Sequence, residues 1–277
     1  MSERRRILKA LMAAGLWTAV APFDVAWAQK KAGKKKPAAS EKKLDEQPII
    51  AASSDLLPLL EDIVRGFEGG GRVRIIVSAA DRLYSQIQSG EASFEMFLSA
   101  DETLVTQLIE ADKTEGEGDV YAIGRLAFYV PAKSPLKADN YLSDVRTALR
   151  DGRLQLFTIA NPDTDPYGRL AEDVLRQKLV WDEIQPLLAI GEDVSQTAQM
   201  AASGVGQAAL VAYSQSGQLM SARGGKCVLV SDSLCQSLSE RMVLLKNASA
   251  TTRRFYRYML SDRVKGTLRR YGFLAPD

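Results

Sequence analysis

Two short junctions carry the residues best placed to do chemistry. The first is Ala52-Ser53-Ser54-Asp55, where an apolar run gives way to a helical pattern. The second is Asn161-Pro162-Asp163-Thr164-Asp165-Pro166-Tyr167-Gly168, which opens another helix near Pro166. A helix start presents unpaired N–H groups and a partial positive charge, so a serine there either caps the helix or helps to bind an anion. Asp165 before Pro166 is an ordinary N-cap followed by proline at the first helical position. The chain has no histidine. That removes the usual general base, the Ser-His and Cys-His pairs and the commonest transition-metal ligand, so no catalytic residues and no metal site are expected and the chain is read as a non-enzyme. The two cysteines, Cys227 and Cys235, are too few for a zinc site. They flank a polar turn and could pair as a hairpin staple in an oxidising compartment.

The elements that hold these junctions alternate apolar runs with amphipathic helices, an α/β pattern with largely parallel sheets. Strands are expected at 49–52, 72–77, 95–100, 126–130, 154–160, 207–213 and 242–245. Helices are expected at 55–67, 81–88, 102–111 and 170–179, with one last helical stretch over 252–271. In the first helix the apolar residues fall at 56, 59, 60, 63, 64 and 67, which is helical spacing, and Pro58 sits harmlessly in the first turn. Gly69-Gly70-Gly71 lacks the lysine of a phosphate loop and reads as a helix stop.

Ahead of this body, residues 1–28 read as an export signal: a basic start, an apolar run from Ile7 to Val20 and Ala26-Trp27-Ala28 as a cleavage pattern. Arg4-Arg5-Arg6-Ile7-Leu8-Lys9 resembles the twin-arginine signature, and a Sec signal with an extra arginine is the alternative reading. Residues 29–48 are lysine-rich and almost free of large apolar side chains, as expected of a flexible tether. Residues 1–28 carry a net +2 and 29–48 a net +4, so of the whole chain's +2 the body from 49 onward holds −4. An acidic body is a poor nucleic-acid binder, because backbone phosphates demand clustered Lys and Arg.

Six fragments, in order, carry a family resemblance. They are Ile50-Ala51-Ala52-Ser53-Ser54, Phe97-Leu98-Ser99-Ala100-Asp101, the 161–168 junction, Glu192-Asp193-Val194, Leu210-Val211-Ala212-Tyr213 and Arg270-Tyr271-Gly272-Phe273. The chain thereby resembles the molybdate-binding periplasmic proteins. The resemblance implies a type II periplasmic-binding fold of two α/β lobes with a ligand cleft between them, lobe 1 from 49–124 and 240–277 and lobe 2 from 125–239. It also implies a periplasmic, monomeric solute-binding protein of an ABC importer, partnered by a permease and carrying no cofactor beyond a bound oxyanion such as molybdate or tungstate.

The ligand positions it implies are Ser54, Ala80, Tyr167, Val194 and Tyr213. Ser54, Val194 and Tyr213 match the family. Ala80 lacks the hydroxyl of the family's second serine, and a lost donor to a charged ligand costs about 1.5–3 kcal/mol. Tyr167 replaces an alanine whose N–H faces the anion, so its ring could fill the pocket or its hydroxyl could join it. Asp81 and Asp165 set carboxylates at the two helix starts an oxyanion would use; they either repel an anion or simply cap their helices. Acidic residues would suit a solute with an amine or hydroxyls. An envelope accessory role, in which the same fold binds a protein partner, is the third reading.

Overall fold

The computed structural model describes residues 47–67 and 72–276. The export-signal segment 1–28, the tether up to residue 46 and the glycine run 69–71 lie outside the described residues. Strand β1 (Ile49–Ser53) is buried along almost its whole length, with Ile50 and Ala52 packing to one side of its sheet and Ala51 to the other. A tight turn, Ser54–Leu56, leads into α1 (Leu57–Gly66), where Pro58 occupies the first turn. The chain continues through β2 (Arg74–Ser78), α2 (Ala80–Ser89), β3 (Phe94–Ser99), α3 (Glu102–Glu110) and β4 (Thr114–Gly124). Gly90 ends α2 in the left-handed region, at φ 73°. Asp101 caps α3 by accepting from Thr103 N at 2.9 Å.

A second sheet begins at β5 (Leu126–Val130) and adds α4 (Ser143–Arg150), β6 (Phe157–Ala160), α5 (Pro166–Gln177), α6 (Trp181–Ile184), β7 (Leu188–Gly191), α7 (Val194–Ser203), β8 (Ala208–Ala212), α8 (Ser216–Arg223) and β9 (Lys226–Leu229). The chain then returns to the first sheet as β10 (Leu238–Leu245) and finishes on α9 (Ala250–Met259) and α10 (Asp262–Arg270). The strand orders are β2-β1-β3-β10-β4 and β7-β6-β8-β5-β9. Each sheet is half parallel and half antiparallel: β1 and β6 pair in parallel with both neighbours, while β10 and β5 pair antiparallel with theirs. Two lobes result, each an α/β sheet with its own apolar core. Fully buried Phe128 and Phe157 stack in the second core at 6.2 Å, and burying a side chain of this size stabilises by about 1.5–3 kcal/mol.

The chain crosses between the sheets twice, at Gly124–Arg125 and at Ser237–Leu238. Arg125 braces the first crossing by donating from Nε and Nη2 to Gly272 O at 3.1 and 2.7 Å. The last helical stretch is two helices rather than one: Ser261 breaks it and caps α10, accepting from Val264 N. Cys227, on β9, and Cys235 are both free thiols, so the hairpin staple is not formed. Among the described residues no helix is long and apolar enough to cross a membrane.

Candidate functional site

The parallel halves of the two sheets aim the C-terminal ends of β1 and β6 at the space between the lobes. At the end of β1, Ser53 Oγ accepts from Ala100 N at 2.9 Å and ties the turn to the end of β3. Ser54 and Asp55 follow, 2% and 1% exposed. The 213–215 turn after β8 docks on this turn from the other lobe. Ser214 Oγ donates to Asp55 O at 2.7 Å, and Gln215 Nε2 donates to Ser54 O at 3.4 Å. The two turns carrying Ser54 and Tyr213 therefore meet across the cleft. The Tyr213 ring itself lies under the Arg125 guanidinium, 5.3 Å from its centroid, and against the backbone of Gly272. Ser54 Oγ is buried without a well-formed hydrogen bond, in contact range of the start of α7.

On the second lobe, α5 and α7 both start at the cleft. Asp165 Oδ1 accepts from Tyr167 N at 2.9 Å and from Gly168 N at 3.2 Å, while Oδ2 accepts from Val194 N at 3.1 Å. One carboxyl thus joins the N-termini of two helices. Asp193 caps α7 in turn, accepting from Gln196 N at 2.8 Å. Burial pushes the Asp165 carboxyl up to about 7, helped by the charges of Asp193 and Asp55 and opposed by the amides of Val194 and Gly168. Burial raises Asp193 as well.

Between these junctions lies a buried cluster of acids and phenols. Tyr167 O–H reaches Glu240 Oε1 at 3.4 Å and Asp55 Oδ2 at 3.5 Å, and Tyr121 O–H donates to Glu240 Oε2 at 3.1 Å. Glu240 is 0% exposed. Burial, then the neighbouring Asp55 charge, holds its carboxyl well above the usual range. Burial likewise raises Asp55, to about 6, with a hydrogen bond to Glu240 pulling back. Both phenols are pushed far up, by burial first and the adjacent carboxylates second, so they stay protonated donors. Gly124, at the first crossing, makes room for this contact: a Cβ there would stand 2.3 Å from Tyr167 Oη and 2.6 Å from Glu240 Oε1.

At the cleft mouth Arg169 of α5 spans the lobes, 3.0 Å from Asp81 Oδ2 and 2.8 Å from Asp101 Oδ2. Asp81 is therefore a cross-lobe partner rather than a cap; α2 starts at Ala79 and Ala80 with no side-chain cap at all. Ala80 is buried in the first-lobe core at that uncapped start. Tyr167 is 2% exposed, and Val194 is 1% exposed with its N–H already taken by Asp165. Ser54, Ala80, Tyr167 and Val194 thus sit buried at turns or helix starts, and Tyr213 lies on the turn that docks against Ser54 and Asp55. Glu240, Tyr121 and Arg169 escaped the sequence reading. Glu240 left one signal, a polar Ser239-Glu240-Arg241 directly before the apolar Met242–Leu245 run. Among the described residues no group of His, Cys, Asp and Glu side chains could hold a metal ion.

This geometry has close relatives. The model of the bacterial extracellular solute-binding protein family matches residues 49–274. The molybdate-binding protein ModA of Rhodobacter capsulatus is 28% identical over 209 residues, covering 74% of this chain and 79% of that protein. ModA of Azotobacter vinelandii is 27% identical and covers 81% and 88%. Among solved structures, the Azotobacter vinelandii periplasmic molybdate-binding protein superposes with a TM-score of 0.74 at 22% identity, over 83% of this chain and all of that one. The Mycobacterium tuberculosis sulfate-binding protein SubI gives 0.68 at 14% identity, over 83% and 87%. With 226 consecutive residues matched and the two-lobed fold shared, the chain belongs to the bacterial extracellular solute-binding protein family.

Proposed function

We propose that the protein captures a tetrahedral oxyanion of the molybdate or tungstate kind in the periplasm and presents it to the permease of an ABC importer. The observation that carries this reading is the second-lobe cradle, in which N–H groups from two helix starts, Tyr167 and Gly168 on α5 and Val194 on α7, converge on a single carboxyl group. Main-chain N–H groups at helix starts hold anions without a counter-charge. Opening about the two strand crossings would admit the solute. Ser54 would donate from the first lobe, the uncapped start of α2 at Ala80 would add main-chain N–H groups, and Tyr213 would close the cleft. The export pattern of residues 1–28 and the relatives named for molybdate support the same reading.

The test is a thermal-shift and calorimetric titration of the mature protein with molybdate, tungstate, sulfate and phosphate. A ligand at 100 times its Kd stabilises by about 2.7 kcal/mol, which is about 5–10 °C in Tm for a chain of this size. Molybdate and tungstate should shift Tm; silence of all four at millimolar concentration refutes the reading. A solute bearing an ammonium or hydroxyl group is the second reading. It is favoured by two buried acceptors without donors, Asp55 Oδ1 and Gln215 Oε1. Amine and polyol arms in the same screen separate the two.

A further inference from the structure

Resting on that oxyanion reading, we infer that Asp165 is a built-in occupant of the second-lobe half of the site and the residue that sets its affinity and selectivity for anions. Tyr167 N–H and Val194 N–H, main-chain donors at the starts of two different helices, are both spent on Asp165, one on each oxygen. A carboxylate presents two oxygens on one centre, as does the edge of a tetrahedral oxyanion, so the two compete for the same pair of donors. An ordinary N-cap would satisfy only its own helix. Here the second oxygen crosses 29 residues of sequence to the start of α7, which capping of α5 does not require.

Asp165 is 2% exposed and lies close enough to Asp55 on the first-lobe turn to feel its charge. Opposite it Ser54 Oγ, equally buried, has no well-formed hydrogen bond and leans on the Asp193 carboxyl at the start of α7. The first-lobe donor is thus held only by the Asp193 carboxyl beside the cradle, while the second-lobe donors are filled from within. For an external oxyanion to bind, the Asp165 side chain must leave the cradle. Its carboxylate must also leave the neighbourhood of the guest, because like charges in a dry cleft repel strongly.

The experiment compares molybdate binding by wild type, Asp165→Ser and Asp165→Asn, by calorimetry at one pH near 7.5, with far-UV circular dichroism confirming that each is folded. Serine can still cap α5 through Tyr167 or Gly168 N–H but is too short to bridge to α7, so Val194 N–H is freed and the carboxylate is removed from the cradle. Recovering one charged hydrogen bond corresponds to a gain of about tenfold to a hundredfold in affinity. Asp165→Ser should bind molybdate at least about tenfold more tightly than wild type. Asp165→Asn, which removes the charge and frees Val194 N–H but still fills the space, should fall between and stands in if the serine variant does not fold. Equal affinities in wild type and variant, or weaker binding by the variant, overturn the inference and leave the oxyanion reading standing. A wild type that is silent beside a variant that binds upholds the inference and refutes the reading for the native protein. Silence of all three refutes both.

Discussion

Replacing Asp165 by asparagine should make the protein more stable at pH 8 and leave it no more stable at pH 4. The carboxyl sits at about 7 in the fold against an ordinary 3.8. Below pH 4 both the folded and the unfolded chain hold the proton, and the shift has no effect on stability. Between pH 4 and 7 the unfolded chain releases it while the folded chain keeps it, so stability falls as pH rises. Above 7 the penalty is complete, and moving from 3.8 to about 7 corresponds to about 4 kcal/mol. Asparagine abolishes that penalty. Its Oδ1 can still accept from Tyr167 and Gly168, but its amide nitrogen would face Val194 N–H, and one unsatisfied buried donor costs about 1–3 kcal/mol. The net gain at pH 8 is therefore about 1–3 kcal/mol, or about 3–10 °C in Tm. Urea or thermal melts of both proteins at pH 4, 6 and 8 would read it. The groups facing Asp165 are Asp193 and Asp55, both acidic, so nothing in its surroundings reverses the sign. A wild type whose stability rises from pH 5 to 8, or an asparagine variant that melts below wild type at pH 8, would show that the carboxyl is ionised at little cost and refute the reasoning.

Arg169→Ala should loosen the closed form by about 0.5–2 kcal/mol, since two partly exposed ion pairs are lost together. Small-angle scattering should show a larger radius of gyration for the variant, and the wild type should approach it as salt rises. Gly124→Ala should push Tyr167 off Glu240 and cost about 1–3 kcal/mol by over-packing, read as a drop in Tm that Tyr167→Phe, which removes the clashing hydroxyl, partly restores. The thiols should resist alkylation at pH 8, because burial pushes Cys227 up to about 12 and Cys235 up to about 11. Folded protein should react at least about a hundredfold more slowly than protein in urea, and fast labelling of either cysteine while the fold is intact would contradict that.

Strands β1, β2, β3 and β6 and helices α1, α2, α3 and α5 were legible because their apolar residues recur at the right spacing and their starts carry Ser, Asp and Pro. Strand β7 and helix α7 of the second lobe were not read, β10 was read only over 242–245, and β4 was missed altogether. Strand β4 reads Thr-Glu-Gly-Glu-Gly-Asp-Val-Tyr-Ala-Ile-Gly, a sequence with little strand preference over its first half. Pairing along the length of β10 makes it a strand. Gly118 suits that pairing, because a Cβ there would meet Met242 O at 2.1 Å. Glu240 shows the same limit: its neighbours in sequence are polar, and only the fold sets Tyr121, Tyr167 and Asp55 around it. Asp165 was half legible. Its capping of α5 follows from the proline after it, whereas its bond to Val194 depends on where α7 begins in space. The Ser261 break between α9 and α10 was available as a capping signal within the polar Ser261-Asp262 step, and the long amphipathic pattern hid it.

The route of the chain between the sheets has a consequence for how the molecule is made. Every strand of the second sheet comes from residues 126–229, one unbroken segment, so that lobe can complete itself while the rest is still being synthesised. The first sheet cannot. Its fourth strand, β10, is translated more than a hundred residues after β4 and must slide between β3 and β4, which until then offer unpaired edges. Open edges invite pairing with other chains. Truncation before Leu238 would leave a finished second lobe joined to an unfinished and aggregation-prone first one, and only a chain translated to its final helices can bring both walls of the cleft together.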